Sequence, residues 1–452
     1  MSFASSPHTD PLASRGVTAS RTSRWLAPLL IGLGLLLAAP ALASADPGDV
    51  GYQGPSFQGA GGSPSGSKPE SKLWYHDGTW WGNLFDSVTN RFYIWRLDRS
   101  TQTWTRTATQ LDERTNSRAD VVWDGAKLYV ATYRFSESDG SGQSRLSRYS
   151  YNASTKTYSL DSGFPAIINS VRSETLVIAK DSTGKLWATW EQGGKIWMNR
   201  STTADNAWGA PFAMPGAANV NGDDISSIIA FGGNRIGVVW SNQNASPGTD
   251  YFAVHRDGDP DTTWQPIESA YSGSNFADDH INLKTDSSGR VYAVVKTSMS
   301  SSNPSIVLLV RQTNGSWSNH TVSTGASPAP TRPIVQIDEV NSLVRVYYTA
   351  GSSGGTINEK TSPMSSLSFP TGSGTVVMRD FDSADLNNVT STKQNSTAQT
   401  GLVILATNDD TRRYWHADIP LGGTTLPPPG ETTPPSLTGA TVNGSGLVVS
   451  YN

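Results

Sequence analysis

Residues 123–133 read WDGAKLYVATY, a tight polar turn followed by a run of apolar, β-branched and aromatic residues. A short apolar run bounded by Asp and Gly predicts a turn that leads into a buried β-strand. The same unit recurs along the chain. Clear copies are HDGTWWGNLF from His76, DSTGKLWATWE from Asp181, FGGNRIGVVWS from Phe231 and DSSGRVYAVVK from Asp286, and more divergent copies begin at Glu339 and Ser396.

An aromatic residue after a polar turn marks the same repeat a second time. These aromatics are Trp104, Tyr158, Trp208, Trp264, Trp317 and Phe369. Successive members are 54, 50, 56, 53 and 52 residues apart. A period of this size predicts one propeller blade of four short strands per repeat. We expect the aromatics to fill the wedges between neighbouring blades rather than to contact a ligand.

The repeat predicts an all-β fold, a seven-bladed β-propeller, with a six-bladed ring as the alternative. The predicted blades are residues 68–115, 116–171, 172–223, 224–278, 279–331, 332–385 and 386–422. The seventh is short, and the extended segment GYQGPSFQG after Asp49 is a candidate for its outer strand. Such closure would remove the free sheet edges that promote aggregation.

The ends of the chain differ in composition from the repeats. Residues 1–45 combine arginines, an apolar stretch and small residues at A-x-A spacing, which predicts a cleaved signal peptide and an extracellular or cell-surface location. The alternative is an uncleaved membrane anchor. Residues 46–67 are rich in Gly, Ser and Pro, residues 68–422 form the predicted propeller, and residues 423–435 are a Pro-rich linker.

Residues 436–452 contain an Asn-Gly turn at Asn443 between two alternating apolar runs, which predicts a hairpin. This tail resembles the first strands of the immunoglobulin-like or cadherin-like repeats of bacterial surface proteins. The resemblance implies the start of a small β-sandwich-like domain, and a natural chain that continues beyond Asn452.

Charge and cysteine content limit the partners of the mature chain. Removing Arg15, Arg21, Arg24 and Asp10 with the signal peptide leaves 31 of the 34 basic and 37 of the 38 acidic residues. A net negative chain has no basic surplus to release counterions, so nucleic acid is not an expected partner. No membrane contact is expected after cleavage. The chain has no Cys, so disulfides do not contribute.

Three turns resemble a family motif. STQTW (residues 100–104), DPDTTW (259–264) and TNGSW (313–317) are similar to incomplete versions of the Asp-box of sialidase-type propellers, S-x-D-x-G-x-T-W. The resemblance implies a propeller fold. In that family the Asp-box is a structural turn on the rim, so it carries over no catalytic residue. Those propellers usually have six blades, whereas the repeat here predicts seven.

The innermost strands of a propeller all start at one face of the ring, so their first residues converge on the mouth of the central channel. The candidate ligand-binding residues there are Lys72, Arg118, Asp120, Arg172, Glu174, Asp279, His280 and Arg332, with Asp223, Asp224, Asp385 and Asn388 at further strand starts. Their charges either bind a ligand or pair with one another in a solvated channel.

The arginines suggest a more specific hypothesis. Arg118, Arg172 and Arg332 are a possible triad for a carboxylate, because guanidinium groups bind carboxylates in bidentate fashion. Hydrolysis of a glycan would also need two carboxyl groups, for which Asp120, Glu174 and Asp279 are candidates.

No cofactor is expected, and calcium is the one metal with a partial motif. Asp257, Asp259, Asp261 and Glu268 occupy the first, third, fifth and twelfth positions of a calcium-loop pattern. The sixth position is Thr262 instead of Gly. Asp is also common in turns for its geometry alone, so we expect folding to be independent of the metal.

Three functional hypotheses follow. The first is a secreted or cell-surface binding module that recognises a glycan or an extracellular protein at the channel mouth. The second is a sialidase-like glycoside hydrolase that uses the same mouth. The third is a structural spacer of a larger surface protein, for which a channel sealed by paired charges would argue.

Overall fold

The computed structural model describes residues 46–66, 68–326 and 328–422, together with the backbone of two strands, Leu437–Asn443 and Gly446–Tyr451. The described chain is all β. Within these ranges, no helix has the length and hydropathy needed to cross a bilayer. The predicted signal peptide (residues 1–45) and linker (423–435) lie outside the described residues.

Seven antiparallel sheets, six of four strands and one of five, form the ring, so the seven-bladed prediction is confirmed and the six-bladed alternative is wrong. The first N-terminal strand, β1, is Tyr52–Ser56. Blade 1 consists of β2 (Leu73–His76), β3 (Thr79–Asp86), β4 (Arg91–Asp98) and β5 (Thr103–Asp112). Blade 2 consists of β6 (Ser117–Trp123), β7 (Leu128–Arg134), β8 (Ser141–Asn152), β9 (Thr157–Leu160) and β10 (Ala166–Val171). Blade 3 consists of β11 (Val177–Lys180), β12 (Leu186–Gln192), β13 (Lys195–Arg200) and β14 (Phe212–Ala218).

The remaining blades repeat the pattern. Blade 4 consists of β15 (Ser226–Phe231), β16 (Arg235–Asn242), β17 (Thr249–Arg256) and β18 (Glu268–Ser272). Blade 5 consists of β19 (Ile281–Thr285), β20 (Val291–Lys296), β21 (Pro304–Arg311) and β22 (Trp317–Thr324). Blade 6 consists of β23 (Pro330–Asp338), β24 (Leu343–Ala350), β25 (Thr356–Pro363) and β26 (Thr375–Met378). Blade 7 consists of β27 (Leu386–Thr390), β28 (Leu402–Asn408), β29 (Arg413–Ile419) and the N-terminal β1.

The segment after Asp49 supplies the outer strand of blade 7, as its extended sequence suggested. Tyr52 pairs with His416 and Gln53 with Trp415 in an antiparallel ladder. The ring is thus closed by strands from both ends of the propeller sequence.

Two details of the blades differ from the sequence prediction. Blade 6 begins at Pro330 instead of residue 332, because Pro330 and Thr331 already pair with β24 ahead of a register shift. Arg332 lies in that irregularity with a positive φ of 51°. In blade 2, the long β8 accepts β9 at one end and β10 at the other, so two short strands share the outer position.

The core lies between the blades. Six clusters of buried apolar side chains each join neighbouring sheets within the described residues. The repeated aromatics pack against these clusters, as expected: Trp104 and Tyr158 are buried, and Trp208, Trp264, Trp317 and Phe369 are partly buried.

The two C-terminal strands, Leu437–Asn443 and Gly446–Tyr451, pair antiparallel and are here β30 and β31. The immunoglobulin-like or cadherin-like domain predicted for residues 436–452 stays a prediction.

Candidate functional site

A segment that precedes blade 1 occupies the channel at the face where the innermost strands start. We call residues 63–66 and 68–72 the plug. Ser65 shares a hydrogen bond of 2.9 Å with Thr407 of blade 7. At the other end of the plug, the backbone N–H of Ser71 donates to Asp120 Oδ1 of blade 2 at 2.9 Å. The plug thus bonds blades 7 and 2, the two neighbours of blade 1 in the ring.

Lys68 of the plug joins two of the predicted strand-start regions, those of blades 3 and 5. Its Nζ donates to Glu174 Oε1 of blade 3 at 2.6 Å and also to Asp279 Oδ2 of blade 5. His280 Nδ1 lies 2.5 Å from Asp279 Oδ1. Glu174 of blade 3 thus belongs to one charged cluster with Asp279 and His280 of blade 5, which are far from it in sequence.

The members of this cluster differ in protonation behaviour. Burial raises the pKa of Glu174 to about 7, against the opposing effect of Lys68. Burial would also raise the pKa of Asp279, but His280 and Lys68 reverse the shift and hold it well below its usual value. Two carboxyl groups that share one ammonium therefore have opposite pKa shifts, a pattern found in acid–base pairs of enzymes.

Lys72 and Asp120 are fully buried and have structural contacts. Lys72 Nζ donates to Glu70 Oε2 at 3.1 Å, and burial lowers the Lys72 pKa. Asp120 accepts from the backbone N–H groups of Ser71 and Ile178 and from Lys393 Nζ. Asp120 thus joins the plug to the channel wall, and Lys72 pairs with Glu70 within the plug.

The three arginines that were predicted to form a carboxylate triad contact three different parts of the chain. Arg118 is buried and lies over the Phe135 ring at 5.2 Å. Arg172 donates from Nε to the carbonyl of Ser141 at 3.0 Å, and Arg332 donates to the carbonyl of Ser352. Their proposed role as a carboxylate triad stays a prediction.

Arg172 and Glu174 line a small pocket of about 90 Å³ at this rim together with Glu191. Burial and the neighbouring Asp139 raise the pKa of Glu191 to about 7. Paired charges thus lie at the strand-start end of the channel, with this small pocket beside them. The spacer hypothesis stays a prediction.

The four carboxylates of the calcium-loop pattern have separate contacts. Asp261 accepts from Lys185 and Arg200, each at 2.5 Å. Glu268 forms a two-point pair with Arg311 at 2.8 and 2.6 Å. Asp257 accepts from Ser182, while Asp259 is exposed. Independence of folding from calcium stays a prediction.

At the opposite face, where the innermost strands end, the channel opens as a cavity of about 540 Å³, here called the well. Its floor is the plug, through Pro69, Glu70 and Ser71. Its wall consists of parts of β6, β11, β15 and β19, which contribute the apolar residues Val122, Ile178, Ile228, Ile229 and Leu283. Opposite them lies the loop of residues 391–394, which follows β27.

Polar side chains and one tryptophan complete the well. Asn282, Lys284, Gln336 and Lys393 line it, and Trp123 lies among its rim residues. Trp123 is partly exposed, and its ring centroid lies 4.0 Å from that of His76. An apolar wall with a few polar groups in a cavity of this volume is typical of small-molecule sites.

Sequence reasoning identified the strand starts and missed the well. Lys284 is the one charged residue of the innermost strand INLKT, and this charge is the one signal in the sequence that pointed to it. Lys393 lies in a polar loop with no distinguishing pattern.

No family model and no curated protein matches the chain. Solved structures do match. A polysaccharide lyase, an ulvan lyase bound to glucuronic acid linked 1-4 to 3-sulfated rhamnose, matches with a TM-score of 0.53 at 10% identity, over 83% of this chain and 98% of that chain. An α-L-arabinanase of Penicillium chrysogenum complexed with arabinobiose matches with a TM-score of 0.43 at 10% identity, over 71% and 98% of the two chains.

A protein of unknown function from Dyadobacter fermentans has a TM-score of 0.46 at 11% identity and covers 68% of this chain and 91% of its own. At such identities the likeness shows the fold alone. The structural neighbours include glycan-active enzymes, a lyase and an arabinanase. The resemblance to sialidase-type propellers is not confirmed.

Proposed function

We propose that this protein is an exported propeller that binds an extracellular glycan in the well. The observation that carries the proposal is a cavity of about 540 Å³ in which an apolar wall faces amines and amides. Sugars present both apolar C–H faces and hydroxyl groups, and this lining offers partners for both. The glycan-active neighbours support the ligand class only as an analogy of fold.

Trp123 is the proposed stacking platform. Its ring is partly exposed beside the well, while His76 packs on it at 4.0 Å and Tyr151 packs on His76 at 4.4 Å. A tryptophan that is held by other rings loses little conformational freedom when a ligand covers its exposed part. The site is therefore arranged before the glycan binds.

The test is a glycan array followed by titration of the best ligand into the protein and two variants. We expect Trp123→Ala to weaken binding by about tenfold or more, and Phe381→Ala to leave it unchanged. Phe381 is a suitable control because its side chain is 63% exposed and it lies outside the well. Equal affinities for the two variants, or an array without a binder, would overturn the proposal.

Glycan cleavage is a second candidate function, favoured by the opposite pKa shifts of Glu174 and Asp279. With a pKa of about 7, Glu174 can hold the proton that the acid of a glycosidase supplies, while the ionised Asp279 beside it suits the nucleophile or base. The same glycans are incubated with the protein and with Glu174→Gln, and reducing ends are measured. Release by the protein and its loss in the variant would support cleavage, whereas equal release by both would exclude Glu174 as the acid.

A further inference from the structure

Lys284 is a buried lysine whose side chain reaches across the well. It belongs to β19 of blade 5 and is 3% exposed. Its Nζ donates to the backbone carbonyl of Thr392 at 2.6 Å and to that of Gln394 at 2.9 Å. An ammonium has three N–H donors, so these two bonds leave one donor for a ligand.

The other lysines of the channel each have a carboxylate partner. Lys68 pairs with Glu174 and Asp279, Lys72 with Glu70, Lys180 with Asp124 and Lys393 with Asp120. No such ion pair joins Lys284 to the residues that the structure describes. Burial and the neighbouring Lys393 lower its pKa to about 7.

The carboxylates that line the well are already engaged. Asp124 pairs with Lys180 at 2.6 Å, and Glu70 pairs with Lys72 at 3.1 Å. Asp181 accepts from Thr183 and from the Trp187 indole at 2.9 Å. A buried cation without a counter-ion is costly, so the well gains from a ligand that brings a negative charge to Lys284.

We infer that the glycan of the well is acidic, and that its carboxylate or sulfate group binds the Lys284 ammonium. The inference rests on the proposed function, because it names the ligand class of the same cavity. Lys284 is then the specificity-determining residue, while Trp123 and the apolar wall contact the uncharged parts of the sugar. Discrimination arises because a neutral sugar leaves the ammonium without a counter-ion.

The experiment compares three disaccharides by titration calorimetry: one that contains glucuronic acid, one that carries a sulfate and no carboxylate, and one of glucose alone. We expect at least one acidic disaccharide to bind about tenfold or more tightly than the neutral one. The first two arms distinguish carboxylate from sulfate as the source of the charge. Lys284→Met should remove this preference, and Lys195→Met, at an exposed lysine of β13 outside the well, should keep it.

A measurement on the unaltered protein covers the case in which Lys284→Met fails to fold. At pH 8, above the Lys284 pKa of about 7, most of the amine is neutral, so binding of an anion to it takes up a proton. Calorimetry in buffers of different ionisation enthalpy measures this uptake. We expect close to one proton for an acidic disaccharide and none for the neutral one.

The outcomes separate the inference from the proposal beneath it. If the neutral disaccharide binds as tightly as the acidic ones, or if acidic binding takes up no proton, the inference is wrong and glycan binding stands. If none of the three binds and the array has no binder, the proposed function fails and the inference with it.

Discussion

Several carboxyl groups at the strand-start face lie where the ionised form is disfavoured. Glu174, Glu191 and Asp250 all have a raised pKa, with burial as the largest cause. Neither oxygen of the fully buried Asp250 has a hydrogen-bond partner among the described residues. Carboxylates also raise one another's pKa here, since Asp139 and Asp224 act on Glu191. The ionised forms of these residues therefore destabilise the fold.

Glu191 allows this to be tested at one residue. Its pKa is about 7 in the folded protein and about 4.3 in an unfolded chain, so between these values the folded state holds more protons. Stability from this group is thus present below pH 4 and is lost as pH rises through 7. We expect Glu191→Gln, which stays neutral and can still accept from the Gly194 N–H, to raise the free energy of unfolding at pH 8 by about 1 kcal/mol, a value reduced for partial exposure.

Denaturant unfolding at pH 5 and pH 8 measures the effect, with Glu137→Gln as the matched control. Glu137 lines the same small pocket but is exposed. The gain from Glu191→Gln should be larger at pH 8 than at pH 5, and the control should be close to zero at both. A gain independent of pH would mean that ionisation of Glu191 is not the cause.

At the scale of a single element, the plug depends on Lys68. The side chain of Lys68 is 11% exposed and that of Glu174 is 6% exposed, so their ion pair is largely shielded from water. Removing one partner of such a pair leaves the other charge buried and alone. We expect Lys68→Met to lower the free energy of unfolding by about 3 kcal/mol.

A double-mutant cycle identifies the pair as the cause. Lys68→Met combined with Glu174→Gln should lose less stability than the sum of the two single variants, because Glu174 is then no longer left as an unpaired buried charge. Additive effects in thermal or denaturant unfolding would show that the two side chains act independently and that the plug is held by its backbone contacts.

The strands could be predicted from sequence because their signal is local. A turn such as WDGAK (residues 123–127) precedes the second strand of each blade. The period of this repeat and the apolar content of the strand are enough to count the blades. The candidate site could be predicted only in part. Glu174, Asp279 and His280 were predicted at strand starts and do belong to one cluster.

The plug and the well are the parts that could not be predicted. Residues 63–66, 68–72 and 391–394 carry polar side chains without periodicity, so nothing local in them shows that they lie in the channel. The position of the well in the channel depends on where these two segments run in three dimensions. Lys284 faces the well only because β19 ends beside the loop that holds Thr392.

At the scale of the whole molecule, ring closure is concentrated in one strand. β1 is the only element of the described blade 7 that comes from the N-terminal end, and its Tyr52 ring stacks on His416 at 5.2 Å. Phe57, which follows β1, packs on Tyr414, and the chain then continues to the plug. Without β1, the outer backbone edge of β29 would be unpaired and open to water or to another chain.

We therefore expect a chain that begins at Phe57 to be much less stable than one that begins at Pro47, since only the former lacks β1. Its melting temperature should fall by more than about 5 °C, because the ladder and the stacking on His416 are both lost. Limited proteolysis should then cut the shorter chain first within blade 7, whose sheet has lost its outer strand, while the longer chain resists. Light scattering should also show association of the shorter chain through the exposed edge of β29. Equal melting temperatures and equal protease resistance would mean that the contacts between blades 7 and 1, including the bond that the Phe85 backbone N–H donates to the Tyr414 hydroxyl, are sufficient to hold the ring closed.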